Sequence, residues 1–420
     1  MMWFNLMKLV QMRHTKNTLF TGLDRIQNDP GLTDEISGRV GYLCHNASVD
    51  RNLNHGSDIM HDLFGSRLTA FFAPQHGLYT DAQDNMIESP HFVHPIYQIP
   101  VFSLYSETRE PTLDMLSNID TLVIDLQDSG VRVYTYIWTM ILALKSCANA
   151  GKKVVILDRP NPLDGISVEG NILESGFKSF IGLHPIPMRH GMTMGEIAEF
   201  GCKFWDIDVD LHVISVDNWD RSQQNVFTCG EVTFDKLPWV LPSPNLSTPD
   251  TLRVYPGSVL FEGTNLSEGR GTVRPFELFG HPKLNAFAWR EQLEIVLNDT
   301  GFGDAVRLRP HTFVPTFEKW AGTTCHGYQI HLSGKLKDRG IWTAVQLIMR
   351  ELYYLMGSDF EWRQPPFEYV HDQLPIDILN GTDKIRKWIE DRGSLKELDT
   401  IASQNMPDYL EKRSIIIQKS

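Results

Sequence analysis

"TLVIDLQDSGVRVYTYIWTMILALKSCANAGKKVVILDRPNP" (residues 121–162) holds two short apolar runs, TLVIDL at 121–126 and KVVILD at 153–158. Both are rich in β-branched residues and bounded by polar ones, the pattern of buried strands. Between them, VYTYIWTMILALKSCANAG is long enough for a helix, with Gly151 placed to end it. Strand, helix and strand in this order form a βαβ unit, so a parallel sheet covered on both faces is expected. Working outward, TAFFAP at 69–74 and LHVISV at 211–216 read as further strands of an α/β fold. From Pro238 to Pro282 the chain is rich in Pro, Gly, Ser and Asn and reads as irregular, although Trp239, Tyr255, Phe261 and Phe276 argue for order. After about residue 285, amphipathic segments such as AWREQLEIVLND and WTAVQLIMRELYYLM mix with short strands such as GYQIHLS. This predicts a second, smaller α+β domain over 286–420, after a first domain over 20–285.

The bulk properties exclude several classes. A chain of 420 residues with 42% hydrophobic and 22% charged residues can bury a large core, so disorder as the main state is excluded. Lys and Arg number 39 against 52 Asp and Glu, a net charge of −13. That balance disfavours nucleic acid and anionic membrane surfaces as partners. The five cysteines are widely spaced with no CxxC pair, which fits free thiols in a reducing compartment. The N-terminal MMWFNLMKLV is broken by Lys8 and lacks a secretory apolar run, and no stretch reaches the roughly 20 apolar residues of a membrane span. The chain therefore reads as cytoplasmic.

Each of the three best strands runs directly into a polar loop. The first leads to Gln75-His76-Gly77, the second to Gln127-Asp128-Ser129-Gly130 and Arg132, and the third to Asp158-Arg159-Pro160-Asn161. Ligands of open α/β sheets sit beyond the carboxyl ends of the strands, so three such loops can converge on one site. Each also has a structural reading. Asp128 suits a turn cap, His76 a buried hydrogen bond, and Arg159 an ion pair with Asp158 or Asp125. Further along, FEGTNLSEGRGTVRPFE sets Glu262, Glu268, Glu277, Arg270, Arg274 and Asn265 among glycines, where backbone can approach a ligand closely. Arg189 and His190 precede a helix opened by Thr193 with Glu196 three residues on, a capping box. No GxGxxG, Walker loop, HExxH or GxSxG is present, and no metal-ligand spacing, so neither cofactor nor metal is expected.

Taken together, FFAPQHG, IDLQDSGVRVYTYIWTM, VVILDRPNPLDGISVEGNIL, GLHPIPMRHGMTMGEIAEF, LPWVLPSPNLSTPDTLRVYPGSVLFEGTNLSEGRGTVRPFELFG and CHGYQIHL resemble the exo-β-N-acetylmuramidase family, in order and over nearly the whole chain. The resemblance implies a Rossmann-like N-terminal domain with the active site in a cleft, and a smaller C-terminal domain. It implies release of β-1,4-linked N-acetylmuramic acid from the non-reducing end of peptidoglycan fragments, here of fragments recycled inside the cell. The catalytic candidates are then Gln75, His76, Asp128, Glu169 and Glu262. Those for substrate binding are Arg132, Asp158, Arg159, Asn161, Arg189, His190, Asn265, Glu268, Arg270 and Arg274. The lactyl carboxylate of a muramyl sugar calls for an arginine clamp, with Arg159, Arg189, Arg270 and Arg274 available. One departure matters: the family's first loop reads Pro-Glu-His-Gly, and the position of its favoured catalytic glutamate is Gln75. An amide cannot exchange a proton as a carboxyl does. Three outcomes stand open: another carboxylate takes the role, the protein is a slow enzyme, or it binds a muramyl ligand without cleaving it.

Overall fold

The computed structural model describes residues 18–83, 86–333, 336 and 339–418. The N-terminal apolar stretch discussed above lies outside these residues. The central sheet takes β1 (Val40–Cys44), β2 (Leu68–Ala73), β3 (Phe92–Val93), β4 (Pro100–Ser103), β5 (Thr121–Asp125) and β6 (Lys153–Leu157). After the antiparallel pair β7 (Glu169–Ile172) and β8 (Pro187–Arg189), β9 (Leu211–Ile214) completes it, in the order β3-β4-β2-β1-β5-β6-β9. Every neighbouring pair is parallel except β3–β4 at one edge. Counting only the parallel strands in chain order, the arrangement is 3-2-1-4-5-6, the doubly wound Rossmann order.

The predicted βαβ unit is present. β5 and β6 flank the helix Tyr136–Asn149, whose first eight residues except Leu142 are fully enclosed in the core, and Gly151 follows at φ +61°. The capping box at Thr193 and Glu196 forms as well, and opens the helix Met194–Phe204. β1 lies at the centre of the sheet, yet its VGYLC sequence carries a weak strand signal because of Gly41. That glycine is required: a Cβ there would lie 2.9 Å from both Ile119 and Phe72. The stretch expected to be irregular contains a real helix, Pro249–Ser258. Thr248 caps it, and Pro249 stands in the first turn, where no amide donor is needed. Its last turn runs into Val259–Gly263, which carries Glu262.

The C-terminal part is a three-stranded antiparallel sheet ordered β12-β14-β13, from β12 (Leu278–His281), β13 (Val306–Phe313) and β14 (Cys325–Leu332). The short pair β10 (Phe227–Thr228) and β11 (Leu237–Pro238) precedes it. Helix Ala286–Asp299 packs on this sheet, helix Ile341–Met356 packs against that helix and against Pro249–Ser258, and their buried residues join one core cluster with those of the N-terminal part. Arg132, completely buried, reinforces the junction. Its guanidinium donates to the carbonyls of Asn171 (3.0 Å), Ile186 (3.1 Å), Leu379 (2.9 Å) and Asn380 (2.9 Å). Two of those acceptors belong to the helix Pro375–Asn380 of the C-terminal part. Arg132 is thus a tie between the halves. Replacing it by Met strands these carbonyls, and hydrogen bonds to a charged group contribute about 1.5–3 kcal/mol each. Arg132→Met is expected to lower stability in urea titration by about 3 kcal/mol or more, and an unchanged midpoint would contradict this role.

Candidate active site

β2 ends at Ala73, and the chain turns sharply through His76 (φ +72°) and Gly77 (φ +79°). This turn brings Gln75 and His76 to the wall of a narrow recess of about 40 Å³. The rest of its lining comes from Tyr134 and Thr135 after β5, from Tyr255, Glu262, Arg270 and Phe276, and from Phe367 and Glu368 of the C-terminal part. Gln75 is oriented by Thr135, whose hydroxyl donates to Oε1 at 2.7 Å, while Tyr136 donates to the Gln75 carbonyl at 3.3 Å. His76 places Nδ1 2.7 Å from the Ala82 carbonyl, so Nδ1 carries the hydrogen and Nε2 is left as an acceptor. Burial pushes its pKa down to about 4, against the Ala82 carbonyl and with help from the charge of Arg270. The ring is therefore neutral at pH 7.

A chain of alternating charges backs the recess. Arg270 Nη2 donates to Glu262 at 2.7 Å and Nε stands 3.3 Å from Glu268, which in turn accepts from Lys319 Nζ at 2.9 Å. Lys319 also donates to the carbonyls of Phe261 (2.8 Å) and Leu266 (2.9 Å). Burial raises the Glu268 carboxyl, but Lys319 and Arg270 outweigh it and hold the group below its usual value. The guanidinium lies over the Phe276 ring, 5.0 Å from its centre. Gly271 permits this course of the chain, since its φ is +74° and a Cβ would come within 2.7 Å of the Thr316 and Phe317 amides.

Asp128 does not line the recess, although its charge is felt by Tyr255, which does. It accepts from the Gly130 amide at 2.7 Å and contacts His190 Nε2 at 3.1 Å. His190 Nδ1 accepts from the Met192 amide, which fixes the proton on Nε2. Other sequence candidates are held elsewhere. Arg159 pairs with Asp125 at 2.5 and 3.0 Å, one of the structural partners weighed from sequence. Asp158 accepts from Thr193 and Gly195 at the start of a helix, and Asn161 bonds Met192 and Leu163. Asn265 ties to Asp359 and Glu361, while Arg274 is half-exposed beside Glu277. Glu169 and Arg189 pair at 2.7 Å in a separate cleft of about 240 Å³, together with Arg253 and Arg339. The expected arginine clamp is accordingly spread over different places, and of its four members Arg270 lines the recess. Glu368 was not foreseen. The available signal was Pro365-Pro366, a loop marker just ahead of an isolated acid.

Two predictions follow from this geometry. His76 takes up no proton in the folded state until about pH 4, whereas the unfolded chain does so near pH 6.5. The resulting stability is complete above pH 6.5 and is lost as pH falls toward 4, by about 3 kcal/mol in all. His76→Gln should flatten that part of the stability–pH curve in urea titrations, and an unaltered slope would contradict the assignment. Arg270→Ala leaves two buried glutamates without their shared cation, which costs about 3–5 kcal/mol. A melting temperature close to wild type would contradict the charge chain.

Comparisons with known proteins cover most of the chain. A family model described as "Exo-beta-N-acetylmuramidase NamZ, N-terminal" matches residues 40–250, and its C-terminal counterpart matches residues 253–417. The peptidoglycan beta-N-acetylmuramidase NamZ of Bacillus subtilis (strain 168) is 37% identical over 396 residues, covering 94% of this chain and 89% of that protein. Two crystal structures of DUF1343 family proteins from Bacteroides fragilis NCTC 9343 share the fold. One has a TM-score of 0.79 at 27% identity and covers 96% of this chain and 99% of its own. The other has a TM-score of 0.68 at 26% identity, covering 95% and 98%.

Proposed function

We propose, for a chain that belongs to the exo-beta-N-acetylmuramidase NamZ family, that the recess between Gln75 and Glu368 receives a terminal N-acetylmuramic acid residue of a peptidoglycan fragment and that the protein hydrolyses its β-1,4 bond. The observation that carries the reading is the meeting of Glu262, Glu368 and Arg270 with the Gln75-His76 loop in one recess. Glycoside hydrolysis needs a proton donor at the leaving oxygen and negative charge near an oxocarbenium-like centre. The carboxyls of Glu262 and Glu368, both lining the recess, supply both kinds of group. Arg270 adds a cation where the lactyl carboxylate of a muramyl sugar can be met, which a plain N-acetylglucosamine lacks. Among the described residues no helix is long and apolar enough to cross a membrane. We take the substrate to be released wall fragments handled in the cytoplasm rather than the intact wall.

Gln75 favours a second reading, in which the recess binds muramyl sugars without cleaving them. Its amide is held by Thr135 and cannot act as an acid or base. Incubation with the disaccharide MurNAc–GlcNAc separates the two. Hydrolysis predicts free MurNAc and GlcNAc in equal amounts, and no release from oligomers whose non-reducing end is GlcNAc. Calorimetric binding of the disaccharide without product would establish the second reading, and neither binding nor product would remove both.

A further inference from the structure

Glu368 sits in an unusual piece of backbone. Phe367 and Val370 exchange amide–carbonyl hydrogen bonds of 3.0 and 2.9 Å, closing a two-residue turn. Both central residues, Glu368 and Tyr369, take positive φ, +46° and +63°. Such turns favour Asn-Gly, because side chains with a full Cβ substituent are strained there. Strain of this kind persists where surrounding contacts impose it, and it concentrates at functional sites.

The contacts that impose it reach across to the N-terminal part. The Arg109 guanidinium lies between two rings, 4.2 Å from the centre of Tyr105 and 4.5 Å from that of Tyr369. Arg109 is itself anchored to the carbonyls of Ser106 and Thr108 and to Glu88. The Glu368 amide donates to the Met86 sulfur at 3.3 Å. The turn is pinned by its neighbour, and its acid enters the recess. There the carboxyl is 4% exposed, and among the described residues its Oε2 has no hydrogen-bond partner. A buried carboxyl oxygen left without a partner needs a reason, and a reaction partner that arrives with the substrate is one.

We propose that Glu368 is the general acid–base of glycoside cleavage, in the place that Gln75 cannot fill, an assignment that rests on the muramidase reading given above. The protonated carboxyl gives its hydrogen to the glycosidic oxygen while the bond from that oxygen to the anomeric carbon breaks, the bonding pair leaving with the oxygen. Glu262, which also lines the recess, meets the positive charge that develops on the sugar. The Glu368 carboxylate then takes a proton from water as the water oxygen bonds to the anomeric carbon, which restores the acid and completes hydrolysis. Burial and the negative charge of Glu262 raise the Glu368 pKa to about 7, against the cations Arg109, Arg270 and Arg363. The group thus keeps its proton up to neutral pH, as a general acid must.

The test compares two substrates whose leaving groups differ in their need for a proton. Wild type and Glu368→Gln are assayed on MurNAc–GlcNAc and on a nitrophenyl glycoside of MurNAc, with melting temperatures recorded. Glu368→Gln should lose about 10²–10⁴-fold in kcat on the disaccharide. It should lose far less on the nitrophenyl glycoside, and the fall of wild-type kcat/KM above pH 7 should be absent from its profile. Glu368→Asp, which keeps the acid but withdraws it from the sugar, should show the same selective loss and stands in if the amide variant fails to fold. Equal losses on both substrates, full disaccharide activity, or a surviving alkaline limb would overturn the assignment while leaving the muramidase reading intact. A wild type inactive on both substrates would overturn the two together.

Discussion

A buried charge is tolerated only beside its opposite, and this constraint shapes the recess. Removing an ion from water costs several kcal/mol unless well-placed partners repay it. Glu262, Arg270, Glu268 and Lys319 answer this by alternating in sign, so each buried charge meets one of the other sign at 2.7 to 3.3 Å. The solution is narrow. It needs Arg270 flat over Phe276, glycines at 269 and 271 with positive φ, and Lys319 reaching in from the loop after β13. One wall of the recess is thereby fixed before any ligand arrives, and the loops after β2 and β5 are set against it.

The position of the recess departs from what a Rossmann sheet usually offers. Ligands of this fold gather where strand order reverses, which here is between β1 and β5. That crevice is filled by the protein's own polar contacts. Ser48 donates to the Asp125 carbonyl at 2.5 Å, the Gln127 amide donates to His45 at 3.0 Å, and Arg159 covers Asp125. The absence of a glycine-rich phosphate loop in the sequence is consistent with that filling. The cavity opens instead beside the end of β2, where the C-terminal part can contribute Phe367 and Glu368.

Much of this was legible in the sequence, for physical reasons. β2, β5 and β6 announce themselves because a strand buried on both faces is an unbroken run of large apolar residues. The polar loops after them stand out against such runs, and His76 and Gln75 were found that way. β1 was missed because Gly41, needed for close packing, dilutes the signal. The fates of Arg159 and Arg189 could not be read from sequence, since an arginine in a loop looks alike whether it meets a ligand or a buried acid. Glu368 escaped for a different reason. It lies 293 residues beyond Gln75, and what places it is a strained turn pinned by Arg109, none of which leaves a periodic pattern.

A muramyl sugar is proposed to occupy the recess built by both halves of the chain. A crystal structure of the protein soaked with N-acetylmuramic acid tests this most directly. The sugar is predicted between Gln75 and Glu368 with its lactyl carboxylate toward Arg270. Density for the sugar in the Glu169–Arg189 cleft, with the recess empty, would contradict it.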